Sequence, residues 1–263
     1  MRFVLGGLAV AALAALLTAV PYALPPDGWL VATRIGSEFG YLVMALGGLR
    51  GALAFDRGDV LRRAWLWVSV SGTLGFLTGI VYGPPLRALP DLLATSTTGV
   101  VVSGIIDVAL NITIVMGLIL FARAWHETGL SPPWQKPATA LAFAIGVGVA
   151  GPSLWHDVPA AFAGGNRAIG STISDLGDIA SMTLAGPLFA SAVWMRGGAL
   201  VGPYIYLTGY AVAWLMFDAG SLLFTGHFNN VYDMFFSTSG NLSAGLAGLT
   251  HYWVIRRRSV AKE

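Results

Sequence analysis

The chain has 263 residues with a formal net charge of +2, and 56% of them are hydrophobic against 11% charged, whereas soluble domains carry about 25% charged residues. That balance excludes an ordinary soluble domain, and a charge so near zero gives no electrostatic reason to expect a nucleic-acid partner. There is no Cys, which excludes disulfides, thiolate metal sites and cysteine nucleophiles.

Stretches of about 20 apolar residues, enough to cross a hydrocarbon core of about 30 Å, recur along the whole chain. The first covers 3–23; Arg2 before it and Pro21 and Ala23 at its end also fit a cleaved signal peptide, but the internal repeat described below requires a helix here. Spans follow at 30–54 and 64–83, separated by "DRGD" (56–59). Asp91 and a run of hydroxyls from Thr95 to Thr98 introduce the fourth, 96–122, where a carboxylate caps the helix and meets the positive end of its dipole. The fifth and sixth, 138–155 and 168–195, contain Pro152 and Pro187, which interrupt the helical hydrogen-bond ladder. The seventh covers 202–225, and Asp233 opens the eighth, 233–255, with Ser237 to Ser239 behind it. The expectation is an all-α integral membrane protein with eight transmembrane helices, its first partner the lipid bilayer.

Cytoplasmic loops retain Lys and Arg. With eight spans, one side collects Arg2, Arg50, Arg57, Arg62, Arg63, Arg123, Lys136, Arg196, Arg256, Arg257, Arg258 and Lys262, leaving Arg34, Arg87 and Arg167 for the other. This predicts a bacterial inner (cytoplasmic) membrane protein with both termini cytoplasmic.

Four sequence markers recur in order: "SEFG" (37–40) with "SDLG" (174–177), "DRGD" with "MRGG" (195–198), "IVYG" (80–83) with "LFTG" (223–226), and "DLLATST" (91–97) with "DMFFSTS" (233–239). They divide the chain into two four-helix repeats, 1–126 and 134–258. Four spans per half is an even number, so the halves insert in parallel, related by a pseudo-axis along the membrane normal. Many of the 34 Gly lie inside spans, where small residues let helix backbones approach closely in lipid.

A carboxylate at the bilayer centre costs at least about 2.5 kcal/mol on insertion scales, so acids within spans face the bundle interior, pair or bind a proton. Glu38, Asp107, Asp175, Asp178 and Asp218 are such residues, joined by Asn111 and Asn241. Arg34 stands four positions before Glu38, and Arg167 near Asp175, so structural pairing is one role for these two acids. Asp178 and Asp218 have no basic residue in their own spans. The helical rise of about 1.5 Å per residue puts them at similar depth on neighbouring antiparallel helices, with Asn241 close to that level. The candidate ligand-binding set is therefore Asp178, Asp218, Asn241, Asp175, Glu38 and Asp107, lining a polar cavity open to the outside.

His126 and His251 fall at cytoplasmic span ends and His156 and His227 in outer loops, a placement that does not bracket a haem. His156, Asp157 and His227 offer a metal two loops without a third element. No metal or catalytic group is assigned, and any cofactor is left undetermined. Most Trp sit at span ends as an interfacial belt, and Trp214 lies well inside the seventh span.

In the second half, Asp178, the turn from Arg196 to Gly198, Asp218 before Ala219 and Gly220, and Asp233 follow one another at span boundaries. Over residues 169–250 this resembles the multi-helix membrane modules N-terminal to bacterial diguanylate cyclases and sensor histidine kinases. The first half departs from that pattern, with "GFLTG" where the Asp218 counterpart falls, and the sequence ends in "RRRSVAKE". The resemblance implies a sensory module that binds a small molecule or ion and acts through a separate output protein. The buried carboxylates equally fit a proton-coupled transporter or ion-permeation protein, and a structural subunit of a membrane complex or an intramembrane acid/base enzyme remains open.

Overall fold

The computed structural model describes residues 2–22, 26–82, 97–129, 131–195, 198, 200–223 and 227–260. Among them are eight helices: α1 (Arg2–Tyr22), α2 (Pro26–Ala52), α3 (Val60–Tyr82), α4 (Thr97–Glu127), α5 (Gln135–Phe162), α6 (Asn166–Trp194), α7 (Val201–Leu223) and α8 (His227–Val260). Asp91 and the start of its hydroxyl run lie outside the described residues.

Local chemistry sets the helix ends. Pro26 opens α2 at a position where its missing N–H goes unneeded. Asp59 caps α3, its Oδ1 accepting the Leu61 N–H at 2.7 Å. Gly164, at φ +90°, ends α5 in the left-handed region, and Gly164 and Gly165 return their N–H groups to Ala161 and Ala160. Pro152 and Pro159 stand inside α5 and Pro187 inside α6; both helices continue past them, so the prolines do not divide either one.

Three helical segments, Gly104–Glu127, Gln135–Phe162 and Ala168–Trp194, are long and apolar enough to cross a membrane. Their outward faces remain apolar, with Ile105, Leu141 and Leu176 each more than half exposed. Such a surface belongs in lipid; this is a helical membrane protein.

Six helices close a ring in the order α2, α3, α4, α6, α7, α8 and back to α2. The outer positions belong to α1, packed on α2 and α8, and α5, packed on α6 with a lighter contact to α7. The α2–α8 seam runs over glycines. A Cβ on Gly47 would enter the Gly245 backbone, and one on Gly248 would enter that of Gly47. Without a hydrophobic drive between helices in lipid, this close backbone contact supplies the packing attraction. One end of the ring is filled by Trp65, Phe121, Leu118, Leu188 and Leu207, all fully buried.

Candidate functional site

Helical spacing sets the site. On α6, Asp175 and Asp178 are three residues apart and share a face, as do Glu38 and Tyr41 on α2. Asp178 is 5% exposed, and its carboxyl lies within hydrogen-bonding reach of the Asp218 carboxyl on α7. Two carboxyl groups bond to each other only through a proton, because an ionised carboxylate offers acceptors alone.

The Tyr41 hydroxyl stands beside Asn241 of α8 and within electrostatic range of Glu38, Asp107 and Asp178. Tyr210 of α7 faces Asp178 and Tyr41 from the other side. Asn241 is fully buried, and its Oδ1 accepts the Trp214 indole N–H at 3.3 Å. The Trp214 ring packs between Tyr41 and Tyr210, 6.4 Å from each by ring centroid. Asn111 turns back on its own helix, donating to the Asp107 carbonyl at 3.0 Å. Thus Asp178, Asn241, Glu38 and Asp107 converge on Tyr41 from four helices, and Asp218 joins them through Asp178 from a fifth. Asp175 is buried at the margin of this cluster and turns toward α5, where Ser153 and Asp157 face it.

Residues 35–49, 97–122, 168–194, 201–223 and 227–255 contain neither Lys nor Arg. The ion pair found among the described residues, Arg123–Glu127 at 2.7 Å, is exposed at the end of α4. The Arg34 and Arg167 side chains, expected near Glu38 and Asp175, lie outside the described residues.

Tyr41, Tyr210 and Asp157 escape a search of spans for acids and amides, yet a signal for Tyr41 existed. "SEFGY" (37–41) and "SDLGD" (174–178) put Tyr41 at the position of Asp178. The glycines of the two phrases are also used alike: Gly40 packs against Asn241 and Gly177 against Asn111.

Two other features are separate from the acids. An apolar cleft of about 500 Å³ between α5, α6 and α7 is lined by Trp134, Leu141, Met182, Phe189 and Val212, among others. His251 of α8 is 1% exposed and accepts the Trp65 indole N–H on Nδ1 at 3.0 Å. That bond requires an uncharged ring with its hydrogen on Nε2. Its burial against Phe55 and Trp65 was invisible in a sequence that put it at a span end. His156 and His126 are exposed, and the His227 side chain lies outside the described residues. Comparison with family models, curated proteins and solved structures finds no match for the chain.

Proposed function

We propose that this protein is an eight-span bacterial inner-membrane module that binds a small, positively charged molecule or ion at the interior carboxyl cluster. The reading is sensory, with binding passed to a separate output protein. The observation that carries it is the convergence of Asp178, Asp218, Glu38 and Asp107 with Tyr41 and Asn241 inside the helix ring. Several carboxyl groups gathered at membrane depth are expensive to keep ionised, and a cation bound among them offsets that expense.

The 4+4 organisation belongs to the same proposal. Exchanging α2 with α6, α3 with α7 and α4 with α8 turns the ring's contacts into one another: α2–α3 into α6–α7, α3–α4 into α7–α8, and α2–α8 into α4–α6. Asn111 and Asn241 stand 130 positions apart on α4 and α8. This pairing of the fourth helices differs from the one that "DLLATST" and "DMFFSTS" suggest. The Lys and Arg distribution supports both termini on the cytoplasmic side.

A proton-coupled transporter is the second reading, favoured by the Asp178–Asp218 contact, since a pair that holds a proton is able to exchange it for a cation. The test uses purified protein screened against simple primary and quaternary amines by thermal melting, then reconstituted for uptake. Ligand-induced stabilisation without uptake supports the sensory reading, uptake with a proton counterflow supports transport, and no stabilisation by any amine contradicts both.

A further inference from the structure

We propose a hard-cation site at the α5–α6 crossing, formed by the Asp157 and Asp175 carboxylates with the Ser153 and Ser171 hydroxyls. Two Ser-x-x-x-Asp phrases meet there, Ser153 to Asp157 on α5 and Ser171 to Asp175 on α6. The four-residue spacing puts Ser and Asp on one face of each helix, and antiparallel packing crosses them. Ser171 Oγ donates to Asp157 Oδ2, Ser153 Oγ lies 3.4 Å from the same oxygen, and Ser153 also approaches the Asp175 carboxyl.

The hydrogen count leaves this arrangement incomplete. Ser153 has one hydroxyl hydrogen for two carboxylates, and Asp175, 4% exposed, keeps its Oδ2 buried without a hydrogen-bond partner among the described residues. An unmet buried oxygen on a carboxyl that already faces Ser153 and Asp157 is one whose coordination a metal cation would complete. The chemistry of the donors selects the ion. Oxygen ligands alone suit Ca²⁺, Mg²⁺ or Na⁺, and two carboxylates balance a divalent charge. Softer ions are disfavoured, because the chain has no Cys and the four donors are carboxylate and hydroxyl oxygens. Asp157 is half-buried and its neighbours Trp155 and His156 are exposed, which gives the site an approach from outside the bundle.

This site rests on different atoms from the interior cluster and stands if that cluster binds nothing. Full-length protein stripped with a chelator is melted in CaCl₂, MgCl₂ or NaCl, against N-methylglucamine chloride at equal ionic strength. The Asp178→Asn variant is run in parallel. The expected result is a saturable rise of roughly 5 °C at a hundredfold excess over Kd for at least one metal, kept in Asp178→Asn and lost in Asp175→Asn. Should Asp175→Asn fail to fold, Ser153→Ala retains both charges and is expected to weaken metal binding at least tenfold by calorimetry. Equal melting in all salts, or a metal effect that survives both Asp175→Asn and Ser153→Ala, overturns the proposal. So does a metal effect that appears only in Arg167→Gln, which identifies the chain's own guanidinium as the occupant.

Discussion

Asp178 and Asp218 come from different helices and lie within hydrogen-bonding reach of each other, so a proton or a cation between them would relieve the repulsion of two carboxylates. Asparagine keeps the shape of the side chain and can hydrogen-bond its partner, so Asp178→Asn and Asp218→Asn are each expected to fold while losing binding of any cationic ligand by at least a hundredfold. Loss of folded protein in both variants instead assigns the pair to structure. Asn241 makes the opposite case. Its Oδ1 serves the Trp214 indole, and leaving a buried N–H unmet costs about 1–3 kcal/mol. Asn241→Leu is thus expected to lower stability by that amount in denaturant or thermal unfolding. His251→Phe removes the acceptor of the Trp65 indole and carries the same expected cost.

At the scale of helices, the ring closes where α2 meets α8, and Gly47, Gly245 and Gly248 set how near the two backbones come. Gly47→Leu has no space to enter and is expected to destabilise by about 1–3 kcal/mol or more, the usual range for overpacking. Gly58, in the loop before α3, has nothing within 4 Å of an added Cβ, so Gly58→Ala is the neutral control, and equal melting of the two variants contradicts the seam. Helix number and the packing role of such glycines were legible in the sequence, because hydrophobic length and small-residue content survive without knowledge of neighbours. Helix ends were less so. The eighth span was read as 233–255, whereas α8 covers His227–Val260, since backbone hydrogen bonding continues into the polar flanks after hydropathy has faded. The partnership of α5 with Asp175 was also hidden, because a cross-helix register has no signature within either helix.

On the scale of the whole molecule, α2, α4, α6, α7 and α8 build one interior between them. Acids and amides at matching depth announced most of that interior in the sequence, and Tyr41, Tyr210 and the cross-bracing by Trp214 did not, because aromatic residues in apolar spans read equally well as lipid-facing or core. The topology carries its own expectation: a C-terminal reporter should be active only in the cytoplasm, and periplasmic activity contradicts the arrangement inferred from Lys and Arg. The central claim, that the carboxyl cluster is a binding centre and not a structural lock, is tested most directly by melting wild type and Asp178→Asn side by side across the same panel of amines. The account predicts that both melt cooperatively, that at least one amine raises the wild-type midpoint, and that Asp178→Asn shows no such rise. A rise that persists unchanged in Asp178→Asn would contradict it.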